Sequence, residues 1–146
     1  MKKVFLLVLL LALTNCAQET YFDWYKIKSI GEKFETVEEV HKWVWENIDY
    51  TNKKDVFQLP QETLDSRKGD CEDYTLLFIA MVYKYLDYKC HYVEISLDGK
   101  QLDHAVAKYK GRYYDCTNLL TYKVSAYKKK IEYPFEEIQT QIALGR

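Results

Sequence analysis

Cys71 stands where a glycine-containing turn, Arg67-Lys68-Gly69-Asp70, runs into an apolar, helix-patterned stretch that begins Glu72-Asp73-Tyr74. A thiol in the first turn of a helix faces unpaired backbone N–H groups and the positive end of the helix dipole, and both favour the thiolate. Such a thiolate is a nucleophile, yet it catalyses little without a base and a group that orients the base. The chain has only 3 histidines, so the search for a base is short. His104 opens the stretch His104-Ala105-Val106, and Asp115 lies in the next one, Tyr113-Tyr114-Asp115-Cys116. If Lys110 and Gly111 form a two-residue hairpin loop, Tyr109 faces Arg112 and Val106 faces Asp115. His104 and Asp115 then share a sheet face as diagonal neighbours roughly 7 Å apart at the backbone, within reach of a carboxylate–imidazole hydrogen bond. A loop of odd length would put them on opposite faces. Cys116 takes the other parity and points away. These residues suit acyl transfer, with Cys71 as nucleophile, His104 as general base and acid, and Asp115 holding the imidazole. His41, placed on the exposed side of its helix, and His91, at a strand edge, read as ordinary polar residues.

Positioning these groups requires a helix and a sheet. Thr36 with Glu39 three residues on forms a capping-box pattern, and Val37, Val40, Val44 and Ile48 follow at helical spacing with Trp43 and Trp45 beside them. That helix should end near residues 49–52. Pro60 breaks the following loop, and Gln61 to Leu64 restart a short helical turn. From Cys71 to Leu86 the pattern is so uniformly apolar that the helix must be central and covered on several sides. After Asp87 the period changes to two: Tyr92 to Leu97, a turn at Asp98-Gly99, then His104–Tyr109 and Tyr113–Cys116 read as an antiparallel meander. Residues 122–133 add strand and 135–144 a helix after Pro134. Helices followed by strands predict an α+β fold.

Composition bounds the function. The 146 residues are 48% hydrophobic and 29% charged, enough for one domain with a real core, and the net charge of −1 is too balanced for nucleic-acid binding. Lys2 and Lys3 followed by the apolar run Val4–Leu13 read as a secretion signal over residues 1–15, too short to span a bilayer. Residues 16–34 form a lead-in or tether, and residues 35–146 the domain. Leu13-Thr14-Asn15-Cys16 resembles the lipobox of bacterial lipoproteins, with Asn15 a departure from its usual small residue. That resemblance implies lipid on Cys16 and a lipoprotein facing the periplasm or cell surface, with simple secretion as the alternative. Export permits disulfides, but with Cys16 lipidated three thiols remain, and Cys71 is the one expected to stay free. Cys90 and Cys116 either bridge or serve as small buried hydrophobes. Their spacing with His91 and His104 does not suit zinc.

Gly69-Asp70-Cys71-Glu72-Asp73-Tyr74, His104-Ala105-Val106 and Tyr114-Asp115, in this order, resemble the transglutaminase-like superfamily of papain-like cysteine enzymes. Pro60-Gln61-Glu62-Thr63-Leu64 resembles the segment before the nucleophile in its bacterial cysteine proteinases. The resemblance spans roughly residues 36–118. It implies a central helix carrying Cys71 packed on an antiparallel sheet carrying His104 and Asp115, and a thiol-dependent peptidase or amidase acting on protein or peptide. A transglutaminase-type acyltransferase, or a noncatalytic lipid-anchored binding module on the same fold, are the alternatives. The Cys71 backbone N–H would be one oxyanion donor. Gln58 is the candidate for the other, since no tryptophan lies between Trp45 and Cys71 to act as the Trp donor of animal transglutaminases. No cofactor is required. Asp70, Glu72 and Asp73 read first as helix caps. The bacterial proteinases can bind calcium with acids beside the nucleophile, which makes a calcium site at these three residues the second reading.

Overall fold

The computed structural model describes residues 26–52, 57–85, 89–96, 101, 103–123 and 130–138. The signal segment expected at residues 1–15, Cys16, the turn expected at Asp98-Gly99 and the C-terminal residues from 139 on lie outside the described residues. Helical residues 26–31 (α1) place Ile27 in the core at 2% exposure. The capping box starts α2, Val37–Asn47: Thr36 Oγ1 accepts from the Glu39 N–H at 3.2 Å, and Glu39 Oε2 accepts from the Thr36 N–H at 3.1 Å. These bonds satisfy donors that a helix start otherwise leaves unpaired. After the extended Ile48, β1 (Asp49–Tyr50) pairs in parallel with β2 (Lys68–Gly69). Between them α3, Pro60–Ser66, begins with proline at its first position and stops at Arg67, whose φ of 57° is left-handed.

α4, Cys71–Tyr85, follows at once, and Leu76 through Val82 are all fully buried. Apart from Ala80, each of these side chains contributes on the order of 1.5–3 kcal/mol by leaving water, so this helix is the hub of the fold. It packs on an antiparallel sheet of β3 (His91–Ile95), β4 (His104–Tyr109), β5 (Arg112–Asp115), β6 (Leu120–Lys123) and β7 (Lys130–Pro134), in the order β6-β5-β4-β3-β7. The last strand therefore returns to the open edge of β3, and the sheet departs from a simple meander. Ala105, Ala107 and Tyr109 share the main core with α4, whereas Val93, Ile95, Val106 and Tyr113 form a smaller cluster at the opposite parity. The architecture is α+β, with the Cys71 helix packed on the sheet that carries His104 and Asp115.

The hairpin between β4 and β5 has the two-residue loop expected. Lys110 and Gly111 both have positive φ, 47° and 73°, the backbone of a type I′ turn, and Tyr109 pairs with Arg112. Glycine meets that demand at no steric cost.

Candidate functional site

Cys71 is the first residue of α4, and the acids around it build the start of that helix. Asp70 Oδ1 accepts from the N–H groups of Glu72 at 3.1 Å and Asp73 at 3.3 Å. Asp73 Oδ2 returns the favour to the Asp70 N–H at 3.2 Å, a second capping box one residue before the thiol. Asp73 also reaches outward: its Oδ1 accepts from the Gln58 backbone N–H at 2.9 Å and its Oδ2 from Gln58 Nε2 at 2.6 Å. The fully buried Asp73 thus ties the upstream loop to the helix that presents Cys71.

This clamp corrects the reading of Gln58. Its Nε2 group donates to Asp73 Oδ2 and to the Lys68 carbonyl at 3.1 Å, so both of its side-chain protons are engaged inside the protein. None remains for an oxyanion. The same bonds decide how the acidic residues suit calcium. Asp73 is enclosed and spends both oxygens on N–H donors, and no group of three His, Cys, Asp or Glu capable of holding a metal occurs among the described residues. A calcium ion needs six to eight oxygen ligands, so a site at Asp70, Glu72 and Asp73 would need further carbonyl or water oxygens.

His104 is the first residue of β4 and Asp115 the last of β5. His104 Nε2 lies 2.9 Å from Asp115 Oδ2, and Cys71 is near enough to the same imidazole to raise its pKa. The His104 and Asp115 side chains are 11% and 5% exposed. Burial pulls the His104 pKa down, but hydrogen bonds and charge from Asp115 and Cys71 outweigh it and raise it to about 10. Burial likewise pushes the Asp115 carboxyl up, while His104, Asn118 and Thr117 bring it down to about 2. The imidazolium–carboxylate pair is therefore charged at neutral pH.

His41 was read as exposed and is the reverse. It is 2% exposed on the buried side of α2, and its Nε2 lies 2.9 Å from the backbone oxygen of Asp115. Its place in the row Val37, Val40, His41, Val44 was the signal: position 41 follows Val37 by four residues and belongs to the apolar stripe. His91 is exposed, but it opens an inner strand and not an edge: β3 lies between β4 and β7, and His91 Nδ1 is 3.8 Å from Glu132 Oε2. Cys90 and Cys116 are both free and buried, not bridged. Burial raises the Cys90 thiol to about 12 and pushes Cys116 up as well, so both stay protonated.

The family described as transglutaminase-like domain matches residues 25–131 of this chain. Calcium-bound LapG of Legionella pneumophila is similar in structure, with a TM-score of 0.54 at 19% identity over 75% of this chain and 69% of that one. A second LapG structure gives 0.53 at 16% identity over 76% of this chain and 81% of that one. A candidate cysteine protease from Cytophaga hutchinsonii gives 0.51 at 18% identity over 76% of this chain, which spans only 50% of that protein's length. These three likenesses are of fold. No curated protein matches the sequence significantly.

Proposed function

The chain belongs to the transglutaminase-like domain family, and from that membership and the Cys71–His104–Asp115 arrangement we propose that it is an exported thiol-dependent peptidase or amidase with a thioester intermediate at Cys71. The 2.9 Å His104–Asp115 bond, with Cys71 near enough to raise the pKa of the same imidazole, carries this reading. Held beside the imidazolium, the Cys71 thiolate attacks the carbonyl carbon of a peptide or side-chain amide, forming the C–S bond and moving the carbonyl electrons onto oxygen. The Cys71 backbone N–H has no intrahelical acceptor and can donate to that oxyanion. As the oxyanion collapses the C–N bond breaks, and His104 gives its proton to the leaving amine. Water then attacks the thioester, His104 takes its proton, and cleavage of the C–S bond restores the thiolate. Asp115 keeps the imidazole oriented and balances its charge throughout.

The residues of this chain carry each step, and none is routed through a metal. LapG is described in both calcium-bound and EGTA-treated forms, whereas here the acids nearest the thiol act as caps and as a clamp. Export rests on the leader at residues 1–15, and membrane attachment on lipid at Cys16. The substrate is protein or peptide.

Alkylation of Cys71 tests the nucleophile directly. Iodoacetamide should modify Cys71 at neutral pH about tenfold or more faster than a model thiol, His104→Ala should abolish that advantage, and EGTA should leave it unchanged. A wild-type rate equal to the model thiol's sinks the proposal. A rate that collapses in EGTA sinks the metal-free form of it. In cells, Cys71→Ala should remove specific cleavage products, and an unaltered cleavage pattern would favour the binding-module alternative.

A further inference from the structure

We propose that His41 is a positioning residue for this site: its Nε2–H donates to the main-chain carbonyl of Asp115 and fixes the end of β5 where the carboxylate must meet His104. The inference rests on the thiol-hydrolase reading, because it assigns His41 a role in preparing the same three residues. A carbonyl oxygen only accepts, so the 2.9 Å contact requires the proton on Nε2 and defines the tautomer.

The location explains why a side chain is needed there. The β4–β5 pairing runs through Tyr109↔Arg112, Lys108↔Tyr113 and Ala107↔Tyr114 and stops short of Asp115. The strands part at the end where His104 and Asp115 face each other, and Asp115 pairs on its other side with Leu120 of β6. The Asp115 side chain is held by the turn that follows, through Thr117 and Asn118, but its main chain is held toward the core by His41. A displacement of this carbonyl would swing Oδ2 relative to His104 Nε2, and misplacements near 1 Å matter at a reacting centre.

The ring itself has little freedom. It meets Phe78 of α4 edge-on at 5.7 Å between centroids and Tyr114 of β5 at 5.4 Å with the planes at 90°. The charged groups facing it are Asp115 from the sheet and Glu38 from its own helix. Burial lowers the His41 pKa against the pull of both, which keeps the ring a neutral donor. His41 thus links α2, the nucleophile helix and the strand that carries the orienting acid.

The test compares iodoacetamide alkylation of Cys71 against pH in the full chain and in three variants. His41→Phe keeps the ring contacts and removes the donor. His41→Gln supplies an amide N–H near the position of Nε2, and His41→Asn supplies one too short to reach. We expect the Phe and Asn variants to lose about tenfold in rate at neutral pH and to shift their profiles toward that of an ordinary thiol, with Gln restoring most of the loss. Folded Phe or Asn variants with the wild-type profile overturn the proposal. If Phe does not fold, Asn decides by the same criterion. A role in stability alone would lower the melting temperature in the folded variants and leave their profiles in place. An unactivated wild-type thiol instead overturns the hydrolase reading, and the His41 role with it, so the two failures are distinguishable.

Discussion

Four donors converge on the Asp115 carboxylate among the described residues: Thr117 N–H and Oγ1 on Oδ1, and Asn118 Nδ2 and His104 Nε2 on Oδ2. Their pH consequence has a definite sign. Asp115 is lowered from its ordinary 3.8 to about 2, so an unfolding chain takes up the proton first as pH falls. That stabilisation is present above about pH 4 and is lost toward pH 2. His104 is raised from 6.5 to about 10, so its contribution is complete below pH 6.5 and is lost as pH rises to about 10. The two shifts describe one ion pair and count once. His41, buried and lowered, adds a loss that begins as pH falls below 6.5. The urea midpoint should therefore peak near pH 6.5 and fall on both sides, and Asp115→Asn should lower the peak and flatten the basic side. A wild-type midpoint unchanged from pH 6.5 to 10 would show that the pair contributes no charge interaction. The His104–Asp115 pairing was legible in the sequence because a two-residue loop fixes parity and parity fixes faces. His41 was harder to read: polarity suggested solvent, while its spacing along the helix placed it in the buried row.

At the scale of elements, the start of α4 depends on a glycine. A Cβ on Gly69 would stand 2.6 Å from Asp73 Cβ and 3.0 Å from its Oδ2, inside the van der Waals limit of a fully buried side chain. Asp73 cannot yield without stretching its bonds to Gln58 and Asp70. Gly69→Ala should cost about 1–3 kcal/mol in a denaturant titration and also slow Cys71 alkylation, because the displaced carboxylate anchors the helix that presents the thiol. Wild-type stability together with wild-type alkylation would remove Asp73 from this positioning role. The Thr36–Glu39 box and the proline start of α3 could be read from local chemistry. The β1–β2 pairing could not, since two residues have no periodicity. Tertiary contacts set it instead, among them the Asp49 N–H bond to the Arg67 carbonyl at 2.8 Å and the Arg67 guanidinium 5.1 Å from the Trp43 ring. The position of β7 beside β3 was equally hidden, because strand order depends on how the chain crosses the sheet and not on any one strand's pattern.

Across the whole molecule, the three described cysteines separate into two chemical classes by packing alone. Cys90 and Cys116 lie in the core on the sheet side of α4, at 2% and 0% exposure, and behave as small apolar residues. Cys71 is partly exposed at the helix start, against the imidazole of His104. Because none of the three is cross-linked, the core of α4 and the sheet must stabilise the domain without a disulfide, and a reductant should leave thermal unfolding unchanged. Site-resolved mass spectrometry after brief iodoacetamide treatment should find native protein labelled at Cys71, with Cys90 and Cys116 labelled only after denaturation. Opening of the sheet from α4 is the step that exposes them, so their labelling rate should track global unfolding as urea is added, while Cys71 labelling should not. Native labelling of Cys116 at a rate comparable to Cys71 would mean that β5 detaches locally from the helix. The register joining His104 to Asp115 would then be a transient arrangement and could not support catalysis.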